Sequence, residues 1–376
     1  MRIAVIETMS NNTNDVFFEL IRVSIGVQNS LSQIPSEKGW SKLYQMSEKQ
    51  SLVGVCFAGL QRLGADADTG FSIIGMNKMQ YLNWMGMAFS IQMRNEEVNR
   101  QCAELQTKLQ SDELRSCLLK GQGVALAYGE QLSCLRQSGD IDVWVDATRE
   151  MVIDYGMQIT PNKGFDQKHM HYQCFEDTDV EAHWIPVKRN NPSWNCKLKK
   201  YFDSERERQF SNIVNGLCVP TTDFQLAHQL LHVYSHYVYE GVGMRQVMDL
   251  YFAQKACVAG RDKVLKLIND LGLMKFVAAT QWVLQNVFMM PSEQFLCEPD
   301  AKEGQKLLNE IMIGGNFGQH DKRNHIKNET FLQRFFRRWG RMFRMIRFDP
   351  LGTILMPFMR LKLEIWMRKV RRKYGV

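Results

Sequence analysis

The chain has 376 residues, 45% hydrophobic and 23% charged, enough to bury a sizeable core in two or three structural units; this excludes a disordered or fibrous protein. Its nine cysteines form no C-x-x-C pair and no tight cluster, which argues against a disulfide framework or a zinc ribbon and for reduced thiols in the cytoplasm. The net charge of +7 is local, because residues 322–376 carry +13 and the remainder −6.

The opening Met1-Arg2-Ile3-Ala4-Val5-Ile6-Glu7 meets an acid where a secretion signal would stay apolar, and no run reaches the ~18 apolar residues of a membrane span. Neither secretion nor membrane spanning is expected. Residues 12–110 carry apolar side chains three and four apart, as in Val16-Phe17-Phe18-Glu19-Leu20-Ile21 and Met79-Gln80-Tyr81-Leu82-Asn83-Trp84, which predicts helices, with a turn over Gly64–Gly70. Ser116-Cys117-Leu118-Leu119 reads as a short buried strand. It runs through Lys120-Gly121-Gln122-Gly123 into an apolar helix ending near Arg136. A glycine-rich turn at a helix start presents backbone N–H groups, and these bind phosphate.

Gly139-Asp140-Ile141-Asp142 follows. Alternate strand residues share a face, so Asp140 and Asp142 point one way while Ile141 and Val143 point into the core. Two carboxylates side by side repel unless a cation lies between them, and oxygen ligands at this spacing suit Mg²⁺. His169–Phe175 and Thr178–Trp184, separated by Glu176-Asp177, have the pattern of a hairpin that carries Glu181 to the same edge as a third carboxylate. An Asp-x-Asp pair alone is common at strand ends; its weight here comes from the combination with Lys120-Gly121 upstream and Glu181 downstream. Lys120 is read either as a phosphate contact or as a solvated strand end, and Arg136 either as a neighbour of the site or as half of a structural ion pair.

Asn190-Asn191-Pro192-Ser193 reads as a link, and residues 221–290 return to helical periodicity. His228, His232 and His236 fall four apart on one helix. Three ligands so spread cannot share one ion, so they are expected to line a cleft or pair with Asp249. Arg245 and Asp249, also four apart, read as an ion pair. In the basic tail, apolar residues from Phe331 to Ile346 alternate with Arg334, Arg337, Arg338, Arg341, Arg344 and Arg347 as one amphipathic helix. A second is expected after Pro357, with Leu361, Ile365 and Trp366 on one face. Such helices either dock on the protein with their arginines in water, or contact an anionic membrane surface or RNA.

Leu119-Lys120-Gly121, Gly139-Asp140-Ile141-Asp142 and Val180-Glu181-Ala182-His183-Trp184 resemble the DNA polymerase beta-like nucleotidyltransferase superfamily, and within it a branch of uncharacterised bacterial nucleotidyltransferases. The specific resemblance covers about residues 115–185, with shorter similarities at Gly39–Tyr44 and Gly241–Gln246. Two departures stand out: Gln122 replaces the usual Ser or Gly after the turn glycine, and the third acid is Glu181 rather than Asp. The resemblance implies an α+β fold, a small mixed-sheet nucleotidyltransferase core with flanking helices over residues 112–190. Around it are expected an N-terminal helical region (1–111), a helical region closing the cleft (191–330) and basic amphipathic helices (331–376). It further implies two Mg²⁺ ions on Asp140, Asp142 and Glu181 as the catalytic acids, and a nucleoside triphosphate held by Lys120, Gly121, Gly123, Arg136 and Gly139. The acceptor is left open among a small molecule, a sugar, an RNA end and a protein side chain. A cytoplasmic enzyme is expected, peripheral at the inner membrane face if the tail binds lipid; the alternative is a protein of this fold that binds nucleotide or a partner without turnover.

Overall fold

The computed structural model describes residues 2–64, 75–160, 164–321, 323, 330, 346 and 349–375, with side chains from residue 13 onward. The turn expected over Gly64–Gly70 and the amphipathic helix expected over Phe331–Arg347 lie outside that set, apart from Gly64 and Ile346.

Four helices open the chain: α1 (Arg2–Ser24), α2 (Glu37–Lys49), α3 (Val53–Arg62) and α4 (Lys78–Ser111). The last is started by a reciprocal cap in which the Asn77 side chain accepts from the Gln80 N–H and the Gln80 side chain accepts from the Asn77 N–H, at 2.8 and 3.0 Å. A mixed sheet follows, made of β1 (Ser116–Leu118), β2 (Ile141–Val145), β3 (His169–Tyr172) and β4 (Val180–His183), with two short helices, α5 (Lys120–Ala125) and α6 (Glu130–Ser133), after β1 and α7 (Arg149–Ile159) after β2. Strand order is β1-β2-β4-β3. β2 and β4 run parallel; β1–β2 and β3–β4 are antiparallel, so the expected hairpin is present and the fold is the expected α+β class.

Register sorts the side chains of this sheet. Ile141, Val143 and Val145 face the same way as Val180, Ala182, Met170 and Tyr172, and pack with Val98 and Leu105 of α4 and Val152 of α7. Gly156 lets α7 settle here, since a Cβ on it would meet Met170 Sδ at 2.4 Å. The opposite face divides in two. Trp144 stacks on Phe224 and packs against Phe210 in the large helical core, while Asp142, Glu181, His169 and His183 form a polar cluster. The acids therefore lie in a largely buried polar patch of the sheet, exposed at Asp140.

The stretch expected as a link is instead the start of a helix. Asn191 accepts hydrogen bonds from the Ser193 and Trp194 N–H groups, Pro192 takes the first turn, and α8 runs Pro192–Phe210. A hairpin, β5 (Ile213–Val214) and β6 (Leu217–Cys218), follows around Asn215-Gly216, both with positive φ. The helical region comprises α9 (Thr222–Tyr239), α10 (Met244–Ala256), α11 (Arg261–Asp270), α12 (Met274–Phe288) and α13 (Ala301–Gly314).

The last helix, α14 (Pro350–Tyr374), begins before Pro357 rather than after it and carries that proline inside. Asp349 caps it by accepting from the Gly352 N–H, and Asn191 Nδ2 donates to the same oxygen at 3.2 Å, which ties the helix to the start of α8. Its apolar residues do not share one face as expected. Trp366 packs on Phe165 and Trp184 with Arg149 over its ring, whereas Leu361 and Ile365 lie exposed in a stripe with Ile354 and Phe358. No described helix is long and apolar enough to cross a membrane.

Candidate active site

Asp142 is the centre of the site. It occupies the second position of β2, is almost wholly buried, and stands in direct register with Glu181 of the parallel strand β4. Parallel partners present their side chains to the same face, so sequence-distant carboxylates become neighbours through the sheet hydrogen bonds alone. Asp140, exposed just before β2, joins them, and oxygens of Asp140, Asp142 and Glu181 all lie within 4.8 Å of one another. The turn from β1 into α5 delivers Lys120, whose Nζ is 2.5 Å from Asp142 Oδ1. At Gly121 the backbone takes φ +46° and ψ −114°, a conformation that favours glycine. Gly123 approaches the Leu118 carbonyl closely, and Gly139 lies in open space before Asp140. Gln122, the departure from the family pattern, turns away from the acids and donates to Asn99 Oδ1 of α4 at 2.6 Å; its size is used in packing.

His169 is what the sequence reasoning missed, whereas His183 reads from the sequence either as a ligand contact two residues from Glu181 or, more simply, as a strand-end histidine packed beside Trp184. His183 Nε2 lies 2.8 Å from Asp142 Oδ1 and 3.3 Å from Glu181 Oε2, and His169 Nδ1 lies 3.2 Å from the same Glu181 oxygen. The signal was available: once His169–Tyr172 and Val180–His183 are paired as a hairpin, period-two alternation puts His169, His171, Glu181 and His183 on one face.

Four charged groups, three carboxylates and one lysine, meet at the cluster. Burial opposes ionisation of Asp142, but Lys120 and the His183 hydrogen bond together hold its carboxyl well below the usual range. The Asp142 charge in turn pushes Asp140 up. For Glu181, burial and Asp142 push upward, and the His183 hydrogen bond with Lys120 brings the carboxyl below its ordinary value. Burial would strip Lys120 of its proton, and the three carboxylates, Asp142 foremost, reverse that and raise it. One lysine therefore faces three acids, and the unrelieved repulsion at Asp140 is what a divalent cation would remove. The all-oxygen donor set fits Mg²⁺.

Beside Lys120 opens a cleft of about 650 Å³, within the size range of small-ligand sites. Lys168, Lys188 and Arg189 line it on one side, His228, His232 and His236 of α9 on another, and Arg360 of α14 on a third. Burial pushes His228 down to about 3 and lowers His232 and His236, so this wall is made of neutral imidazoles. His236 Nδ1 is 2.8 Å from Glu240. The histidines line the cleft and do not pair with Asp249. That carboxylate receives Arg136 Nε and Nη2 at 2.7 and 2.8 Å and the Tyr128 hydroxyl at 2.6 Å. Arg136 is thus held in a buried ion pair behind the site, and Arg245, expected to pair with Asp249, donates instead to the Gln137 carbonyl at 2.7 Å.

Among solved structures, an antigenic nucleotidyltransferase-like protein from Paracoccidioides brasiliensis is similar at 13% identity and a TM-score of 0.31, over 52% of this chain and 93% of that one. A search of the curated proteins finds no match. The sequence model of the family described as "Uncharacterised nucleotidyltransferase" matches residues 36–289, which takes in the sheet, the acids, Lys120 and most of the helical region around the cleft. The chain belongs to that uncharacterised nucleotidyltransferase family.

Proposed function

We propose that the protein transfers a nucleoside monophosphate from a nucleoside triphosphate to a hydroxyl acceptor, with Mg²⁺ as cofactor. The observation that carries this reading is the meeting of Asp140, Asp142 and Glu181 at one polar patch of the sheet, with Lys120 against them. In the reaction the acceptor oxygen bonds to the α-phosphorus, the bond from that phosphorus to the bridging oxygen breaks, and pyrophosphate leaves. Bound Mg²⁺ would supply charge neutralisation on the phosphates and lower the acceptor pKa.

The protein's own groups divide the remaining work. Asp140 and Asp142 hold the cation site, and Glu181 completes it and takes the hydroxyl proton. Lys120 exchanges its contact with Asp142 for a phosphate oxygen as the cation arrives. Gly121 and Gly123 keep the backbone beside Lys120 low enough for the triphosphate to approach, Gly139 leaves room in front of Asp140, and Arg136 positions the segment leading into β2 through Asp249. The cleft between the sheet, α9 and α14 receives the rest of the nucleotide or the acceptor.

The test is Mg²⁺-dependent pyrophosphate release across the four nucleoside triphosphates, with the Asp140→Ala/Asp142→Ala double variant expected to lose at least about 10³-fold. Release that survives the double variant would overturn the carboxylate mechanism. Nucleotide binding without release would favour the alternative of a binding protein without turnover.

A further inference from the structure

His169, Glu181 and His183 form a second set of converging donors on the same face of the sheet, with ligand atoms within 4.8 Å of one another. A single carboxylate oxygen, Glu181 Oε2, stands 3.2 Å from His169 Nδ1 and 3.3 Å from His183 Nε2, so two imidazoles from different strands flank it. Both rings are buried, at 6% and 0% exposure, and His169 Nδ1 has no hydrogen-bond partner despite lying beside that oxygen. A buried imidazole that turns an unbonded nitrogen towards a carboxylate leaves that nitrogen without a use in the structure; what it offers is a ligand atom.

We propose that His169, Glu181 and His183 bind a divalent transition-metal ion of the Mn²⁺ or Zn²⁺ class, at a site distinct from the all-oxygen site and joined to it through Glu181. The inference deepens the nucleotidyl-transfer reading, and rests on it for the role of the neighbouring acids. The donor chemistry separates the two sites: carboxylates alone suit Mg²⁺, whereas imidazole nitrogen selects first-row transition metals. Two histidines and one carboxylate on a rigid hairpin leave coordination positions open for water or substrate oxygen.

Charge balance permits the change. His183 Nε2 now shares a proton with Asp142 Oδ1 at 2.8 Å. Ligation through Nε2 leaves the ring proton on Nδ1, and Asp142, which gives up that hydrogen bond, faces the cation of the all-oxygen site. No buried carboxylate is left without a cation. The two ion sites then differ in hardness while sharing one bridging side chain, and the identity of the ion at the nitrogen site becomes a means of selecting metal availability for the reaction.

The probe is Co²⁺. The full chain is stripped with a chelator and titrated with Co²⁺ in a large excess of Mg²⁺, which occupies the oxygen site. Expected are visible absorption bands that saturate at one ion per chain, persist in Asp140→Asn, and require at least about 100-fold more Co²⁺ in His169→Gln, because even outer partners of a metal site contribute 10–100-fold. Absence of Mg²⁺-resistant bands, or bands that His169→Gln leaves unchanged, would overturn the proposal. Should His169→Gln fail to fold, hyperfine-shifted imidazole N–H resonances in the Co²⁺-loaded parent decide the matter, their absence refuting it. Absence of Co²⁺ binding in the parent with Mg²⁺-dependent pyrophosphate release intact refutes this site alone, and Co²⁺ binding in the parent without release refutes the transfer reaction alone.

Discussion

Replacing Arg136 by methionine tests whether the residue serves the fold or the ligand. Its guanidinium makes two bonds to Asp249, at 2.7 and 2.8 Å, and both partners are buried, at 4% exposure each. Tyr128 adds a third bond to the same carboxylate. Removing one member of such a pair leaves a buried charge uncompensated and costs about 3–5 kcal/mol. With an urea slope of about 3 kcal/mol per M, that loss moves the unfolding midpoint down by on the order of 1 M. The companion Arg136→Met/Asp249→Leu variant removes both charges and should recover most of the shift, since an apolar pair of similar volume is often neutral or better. Midpoints come from urea titrations followed by tryptophan fluorescence, with Trp144 in the adjoining core as one reporter. If Arg136→Met leaves the midpoint in place and abolishes nucleotide binding, the arginine reaches the ligand and the structural account is wrong.

Three further outcomes are expected. Lys120→Met removes the cation that competes for Asp142, so Mg²⁺ binding measured by calorimetry without nucleotide should tighten by about tenfold while turnover falls; weaker Mg²⁺ binding would contradict the competition. His228 has a folded pKa of about 3 against an ordinary 6.5, so the unfolded chain takes up the proton first as the pH drops. Its contribution is complete above pH 6.5 and is lost on acidification towards 3; His228→Leu should therefore flatten the fall of the melting temperature between pH 7 and 4, and parallel curves would show that His228 does not contribute. Gly121→Ala forces a side chain into φ +46°, ψ −114° at a cost of about 1–3 kcal/mol, visible as a lower melting temperature; an unchanged one would mean that the turn has a second, unstrained form.

What could be read in advance followed from periodicity. Alternation around Asp140–Val145 and the hairpin pattern of His169–Trp184 give the strands, and the direction of Asp142 and Glu181 follows from them. Pairing across strands was less accessible. That Asp142 stands opposite Glu181 depends on β2 and β4 running parallel, which no local pattern encodes. Arg136 illustrates the limit of spacing arguments, because its partner Asp249 lies over a hundred residues away, while the nearby candidate Arg245 bonds a carbonyl. Asn191-Pro192 and Asn215-Gly216 carried their usual meanings, a helix start and a tight hairpin, and the first was misread because Pro in a polar run looks like a linker until the cap is identified. On α14, Leu361 and Ile365 separate from Trp366 because tertiary packing uses only part of the helix's apolar surface.

The parallel pairing of β2 with β4 also fixes when the proposed cation site can form. Asp142 and Glu181 are separated in the chain by α7 and the whole of β3, so during synthesis the first acid emerges long before the second. A partly made chain offers only the Asp140–Asp142 pair, and the proposed three-acid site is complete only when β4 zips between its two neighbours. Loading is then coupled to completion of the sheet: an ion present at 100 times its dissociation constant would add about 2.7 kcal/mol to the finished form and nothing to its precursors.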